Sequence, residues 1–181
     1  MPLPKEQLYT VEDIYKLPDG QRAELIDGVI YNMAPPGTLH QVITGELYAT
    51  IRDFIKKNNG QCKPYISPFA VFLSDKSNDY LEPDISIICS PDKIDERGCH
   101  GAPDWVIEVV SPGTQTRDYG IKLFKYRMLG VREYWIVNPV KKVVNVYDFE
   151  KDKATNIYAF DEPIPVAIYP GFTIKLSDLL I

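Results

Sequence analysis

Two carboxylates stand where a folded chain would place hydrocarbon, and any fold this sequence adopts must accommodate them. Pro83-Asp84 opens the apolar run ISII, and Glu108 interrupts the strand-like run WVIEVV. Side chains alternate across a pleat, so Trp105, Ile107 and Val109 share one face of the second run while Val106, Glu108 and Val110 share the other. A carboxylate left unpaired between two valines costs several kcal/mol of lost hydration, a large part of the roughly 5–15 kcal/mol that holds a domain together. Two such acids are tolerable only where a cation or a set of strong donors meets them. The expectation is a metal site.

At 181 residues the chain suits one domain, 1–181, whose core needs no disulfide support. Its 45% hydrophobic and 25% charged residues are ordinary for a soluble globular protein. No apolar run approaches the ~20 residues that span a bilayer, and MPLPKEQLYT lacks the charged-then-apolar layout of a secretory signal. No membrane association and a cytoplasmic location are therefore expected. The three cysteines, Cys62, Cys89 and Cys99, are odd in number and form no CxxC pair. That pattern speaks against a disulfide framework and a zinc knuckle, and predicts reduced thiols, with Cys89 buried at a strand end. Two histidines, His40 and His100, are too few for an imidazole-rich centre, so any metal should be a hard cation held by oxygen. A net charge of -5 argues against a broad surface for gripping nucleic acid. It leaves room for a local basic cleft among Lys56-Lys57, Arg117, Lys122, Lys125, Arg127 and Lys141-Lys142, although most of these lysines, taken singly, read as solvated surface.

Along the chain, TVEDIYKL reads as a short helix capped by Thr10 and Asp13 and stopped by Pro18-Asp19-Gly20. RAELIDGVIYNMA reads as two half-buried runs joined at Asp27-Gly28, a dipeptide that tolerates the positive φ of a tight hairpin. Glu24 lies on the first of these strands, beside the turn. Helical spacing of Leu39, Val42, Ile43, Leu47, Ile51, Phe54 and Ile55 predicts a long helix from Thr38 to Asn59 ending at Gly60, with His40 in its first turn and its ring able to point back toward the hairpin. Strands are expected over about 63–73, 84–89 and 104–110, separated by polar surface loops containing SDKSND and SPDKIDERGCHGAP. A second helix from about Arg117 to Leu129, closed by Gly130, returns into the strand VREYWIVNP. That strand, helix, strand spacing implies parallel pairing through a right-handed crossover. KVVNVYDFEKDKATNIYAF reads as a C-terminal β-hairpin, and PGFTIKLSDLL as a terminal strand and helical turn. The fold class is α+β, a mixed sheet flanked by helices.

The order acid, strand, acid, helix resembles the PD-(D/E)xK nuclease superfamily, in which acids on adjacent strands hold a divalent cation. More narrowly, PDISII and PDWVIEVVSPGTQTRDYGIKLFKYRMLGVREYWIVNP, with ELIDG upstream, are similar to a bacterial restriction-endonuclease family formerly classed as a domain of unknown function. The resemblance runs from about Thr10 to the end of the chain. Its specific part is EVVSP followed by Asp118, Lys122, Tyr126 and GVREYWIVNP. It implies a restriction-endonuclease-like fold and a metal-dependent endonuclease acting on DNA. In one respect the chain departs from the superfamily: the lysine expected two residues after the second acid is Val110. Lys122 on the next helix can replace it, and the narrower family places its lysine there. At 100° per residue Asp118, Lys122, Tyr126 and Leu129 fall within about 80° of one another, one stripe of a regular helix.

Phosphodiester hydrolysis needs an activated water and neutralisation of growing negative charge, which a carboxylate-held Mg²⁺ or Mn²⁺ can supply. The resemblance implies Asp84 and Glu108 as metal ligands, the Val109 carbonyl as a further ligand, and Lys122 as the group that orients the water and stabilises the transition state. Glu24 would be an additional ligand or water holder, and His40 and Tyr126 would contact phosphate or complete the pocket. Each has a plainer reading: Asp84 as a strand-start cap, Glu108 and Lys122 as a structural ion pair, Glu24 and His40 as surface residues. A homodimer is expected because one site handles one strand; the hairpin aromatics Tyr147, Phe149, Tyr158 and Phe160 could form its contact or equally cap the core. The alternatives are a nuclease-fold DNA-binding or interaction module without turnover, and a phosphoesterase acting on small nucleotides.

Overall fold

The computed structural model describes residues 8–74, 78–151 and 155–180. The start of the N-terminal segment, the centre of the SDKSND loop and the tip of the C-terminal hairpin lie outside the described residues. One helical turn, α1 (Val11–Tyr15), leads into the hairpin of β1 (Arg22–Ile26) and β2 (Val29–Met33). Asp27 and Gly28 take φ of 51° and 77°, the left-handed conformation that the turn demands. The long helix α2 (Thr38–Lys57) follows, then β3 (Lys63–Ile66), β4 (Val71–Phe72), β5 (Ile85–Ile88), β6 (Ile94–Asp95), β7 (Gly98–His100) and β8 (Trp105–Val109). Next comes a broken helix of α3 (Gln115–Arg117), a π turn (Asp118–Lys122) and α4 (Leu123–Leu129). The chain closes with β9 (Glu133–Asn138), β10 (Val143–Asp148), β11 (Asn156–Ala159), β12 (Ile164–Pro165) and β13 (Thr173–Ile174).

Six strands form the central sheet in the order β11-β10-β9-β8-β5-β3, in which β8 and β9 are parallel and every other pair antiparallel. Period-2 alternation sorts β8 as expected. Trp105, Ile107 and Val109 enter the core beneath α2, where Ile43, Leu47, Ile51 and Ile55 recur at helical spacing. Val106 and Val110 enter the opposite core with Ile26, Tyr126 and Tyr134. Glu108 is thus set into the second core, under the helix that follows β8.

Four expectations change. The strand expected over 63–73 breaks after Ile66, and Val71–Phe72 joins a separate three-stranded sheet, β4-β7-β6; Pro68 has no N–H to carry a ladder across the break. α2 ends through Asn59, at φ 52°, rather than Gly60, whose N–H instead caps the Ile55 carbonyl at 2.8 Å. The second helix contains a π turn, so its stripe is not that of a regular helix. Cys62 and Cys89 are not reduced thiols but a disulfide. The register Lys63↔Ile88 extends by one residue to put Cys62 opposite Cys89, a juxtaposition that counting cysteines along the chain does not reveal. The hairpin aromatics cap the cores: Phe160 is buried beneath α2, Tyr158 packs there, and Tyr147 and Phe149 pack on the other side.

Candidate active site

β5 and β8 run antiparallel with Ile85 opposite Ile107, and one step further the register sets Asp84 against Glu108. The two acids meet at the sheet end. Asp84 Oδ2 accepts the Val109 N–H at 2.8 Å and lies 3.1 Å from His40 Nε2. Glu108, 4% exposed, spends Oε1 on Lys122 Nζ at 2.9 Å and the Tyr126 hydroxyl at 3.0 Å. Its Oε2 faces the Asp84 N–H at a loose 3.4 Å. Among the described residues, hydrogen bonding therefore leaves Asp84 Oδ1 unengaged and Glu108 Oε2 weakly engaged.

Lys122 does reach the acids. Its Nζ, delivered by the π turn, lies 2.8 Å from Glu24 Oε1, 2.9 Å from Glu108 Oε1 and 3.5 Å from Asp118 Oδ1. The reading of Glu24 as surface is overturned: the side chain is 1% exposed, because β1 packs its inward face over the broken helix, and Oε1 also accepts the Glu82 N–H at 3.2 Å. Asp118 is equally buried, and its Oδ1 has no hydrogen bond beyond that longer ion pair. Three buried carboxylates thus share one ammonium. Burial, assisted by Asp118, Asp84 and Glu24, outweighs the Lys122 charge and holds the Glu108 pKa well above the ordinary carboxylate range. Burial likewise raises that of Asp118. For Lys122 burial alone would favour the neutral amine, but Glu108, Glu24 and Asp118 prevail and raise its pKa well above the usual lysine value. Burial with Glu108 and Glu24 keeps the Tyr126 phenol neutral.

His40 borders the same cavity as the hairpin residues Arg22, Glu24, Asn32 and Met33. Its ring is turned to Asp84, with Thr44 Oγ1 at 3.4 Å from Nδ1, so the first turn of α2 leans over the sheet end. Burial opposes a charge on the ring, yet the Asp84 carboxylate and Val109 carbonyl prevail and hold its pKa above the usual imidazole value. These groups border a cavity of about 220 Å³, which also receives Arg22, Arg117 and the loop Ser111 to Thr114. Sequence reasoning assigned no role to Asp118, although it stood in the motif one helical turn before Lys122. It also missed Arg22, held by Glu82 and Ser67, and Lys125, which ties Asp27 at 2.6 Å and Asp79 at 2.9 Å. No local signal marks those partners, which are 45 or more residues away.

Among the described residues, no group of three or more His, Cys, Asp or Glu side chains forms a protein-only metal shell. The donor set nonetheless fits a hard cation. Asp84 Oδ1, Glu108 Oε2 and the Val109 carbonyl are all oxygen, and Mg²⁺ typically takes one or two carboxylates and completes its octahedron with water and phosphate.

A family model, Uma2, described as "Putative restriction endonuclease", matches residues 11–177. The chain belongs to this family. A curated relative in Synechocystis sp. (strain ATCC 27184 / PCC 6803 / Kazusa), the uncharacterized protein slr1290, is 26% identical over 134 residues, covering 73% of this chain and 68% of its own length. A crystal structure described as a "putative nuclease belonging to DUF820" from Anabaena variabilis ATCC 29413 superposes with a TM-score of 0.75 at 23% identity, over 94% of this chain and 96% of that one. That likeness supports the fold: the Uma2 chain has the mixed α+β, restriction-endonuclease-like architecture expected from its motifs.

Proposed function

We propose that this Uma2-family protein is a divalent-metal-dependent endonuclease that hydrolyses DNA phosphodiester bonds. The observation that carries the proposal is the buried surplus of negative charge at an open cavity, with Glu24, Glu108 and Asp118 around a single ammonium and Asp84 beside them. A surplus of this kind is stable only beside a cation. Asp84, Glu108 and the Val109 carbonyl would hold Mg²⁺ or Mn²⁺, which when bound supplies charge neutralisation at the phosphate and acidifies the attacking water. The remaining roles belong to this chain's own groups. Lys122 stays protonated, so it acts as a fixed positive charge and donor near the developing oxyanion, not as a base. Tyr126 donates to Glu108 Oε1 and leaves Oε2 turned toward Asp84. His40, on the cavity wall, is the better placed of the two to meet a phosphate.

The protein, stripped of metal by buffer exchange, is expected to bind Mn²⁺ in calorimetry and to nick plasmid, and Glu108→Ala to lose both. Metal binding unchanged in Glu108→Ala would reject the assignment. One observation favours the second reading, a nuclease-fold DNA-binding module without turnover: Lys122 Nζ is already ringed by three carboxylates. DNA binding without cleavage in Mg²⁺ and Mn²⁺ across several substrates would select it. We propose further a two-fold dimer, supported by Phe124 and Met128, which stand exposed one turn apart on α4. No helix among the described residues is long and apolar enough to cross a membrane.

A further inference from the structure

Among the described residues, no carboxylate pairs with Arg117 in this cavity. Lys122 is held by Glu24, Glu108 and Asp118, Arg22 by Glu82, and His40 by Asp84. The Arg117 guanidinium instead lies over the Tyr31 ring, 4.9 Å from its centroid. Its Nε is buried and has no hydrogen-bond partner. A buried donor left unmade costs about 1–3 kcal/mol, more when it belongs to a charged group. Such a group persists in a wall facing solvent when a ligand completes it.

Its placement selects the ligand. Arg117 ends α3, one residue before Asp118, and lines the same cavity as Asp84 and Glu108. The Tyr31 ring of β2, its centroid 4.9 Å from the guanidinium carbon, restrains the fork from a different element before anything binds. A planar fork with unspent donors matches the paired oxygens of a phosphate, and it is the unpaired positive charge in a cavity otherwise rich in carboxylate.

We propose that Arg117, restrained by Tyr31, is a positioning residue that clamps a backbone phosphate of the nucleic acid beside the scissile one. The inference rests on the nuclease reading and adds a substrate contact that the metal site does not supply. Without it, the approach of a polyanion to the acids would depend on the bound cation and on side chains already engaged by carboxylates.

The test measures binding of a short labelled duplex by anisotropy over a range of salt, with Ca²⁺ in place of Mg²⁺. Arg117→Ala is expected to weaken binding about tenfold and to reduce the slope of log K against log salt by about one phosphate. Arg117→Lys should recover the slope but not the affinity, since an ammonium keeps the charge and loses the fork. Calorimetric Mn²⁺ binding without DNA should match wild type in both, which separates a substrate clamp from damage to the metal site. If Arg117→Ala does not fold, Arg117→Gln, which keeps the stem on Tyr31, gives the same comparison. Wild-type affinity and slope in the folded variants would overturn the clamp and leave the nuclease reading intact. Failure of the wild-type protein to bind any duplex would overturn that reading and the clamp with it.

Discussion

At Glu108 the burial that would suit a metal ligand also opposes folding. Its pKa is raised because the carboxylate is desolvated among other acids, so the folded metal-free protein holds that proton more tightly than the unfolded chain does. The sign follows: stability from this group is fully present below the ordinary glutamate value of 4.5 and drains away as pH climbs toward the raised folded value. Asp118 adds in the same direction. Glu108→Gln, which can still accept from Lys122 and Tyr126, should therefore raise the melting temperature of the metal-free protein at pH 8, by about 2–4 °C per kcal/mol relieved, while abolishing Mn²⁺ binding. Calorimetric scans at pH 5 and pH 8 check this; a variant less stable than wild type at pH 8 would show that Glu108 is a structural ion-pair partner. Lys122 gives the opposite result. Lys122→Met strands three buried carboxylates and should cost about 3–5 kcal/mol, part of which Lys122→Met/Glu24→Gln should recover in urea melts. Lost cleavage in a Lys122 variant counts as chemistry only where the variant is folded. The sequence marked Asp84 and Glu108 as candidates because each breaks a local pattern, and the family resemblance marked Lys122. It did not show that Glu24 is buried, since only the packing of β1 over the broken helix decides that.

Among the elements, the π turn and the β3–β5 pair show where periodicity stops being informative. The stripe of Asp118, Lys122 and Tyr126 was legible from helical spacing; Lys122 and Tyr126 do converge on Glu108, and Asp118 on the Lys122 ammonium. The convergence is nonetheless built by the π turn Asp118–Lys122, whose freed Asp118 carbonyl is taken by the Tyr134 hydroxyl of β9 at 3.1 Å. Nothing in DYGIK announces that register. Strand faces, the Asp27-Gly28 hairpin and the parallel β8–β9 crossover were readable because each depends on neighbours in sequence. Cys62–Cys89 was not, because it depends on the pairing of strands 27 residues apart. This pairing has a direct test. Cys99 remains the free thiol among the described residues, buried, with its pKa pushed up to about 11 by burial. A thiol reagent should find almost nothing in the native protein, one thiol in denaturant, and three after reduction. Closing that loop should contribute about 3.5 kcal/mol, so the reduced protein should melt about 7–14 °C lower. Three thiols in denaturant before reduction would mean that the pair is open in the isolated protein and would restore the sequence expectation.

For the whole molecule, the central problem is electrostatic. A chain of net charge -5 presents to DNA a cavity that contains four carboxylates, and the substrate carries one charge per ~1.7 Å of duplex axis. The chain's net charge should weaken duplex binding by the metal-free protein, with Arg22, Arg117 and Lys122 in the cavity wall offsetting part of the repulsion. If Asp84 and Glu108 hold a divalent cation as proposed, the local charge shifts toward positive, so the protein's affinity for DNA should depend on metal. Linkage makes the dependence mutual: whatever factor the metal contributes to DNA affinity, the duplex contributes to metal affinity. The expected factor is about 5–150-fold, the range of ordinary site-to-site coupling. Anisotropy with a labelled duplex in EDTA and in Ca²⁺ gives one side of the cycle, and calorimetric Ca²⁺ titration with and without duplex gives the other. The metal-linked effect should shrink in Glu108→Gln, because the site that shifts the field is gone. Equal DNA affinity in EDTA and Ca²⁺ would mean that the nucleic acid binds on another face of the molecule. The acids at the sheet end would then be a structural cluster around Lys122 rather than the centre of a nuclease.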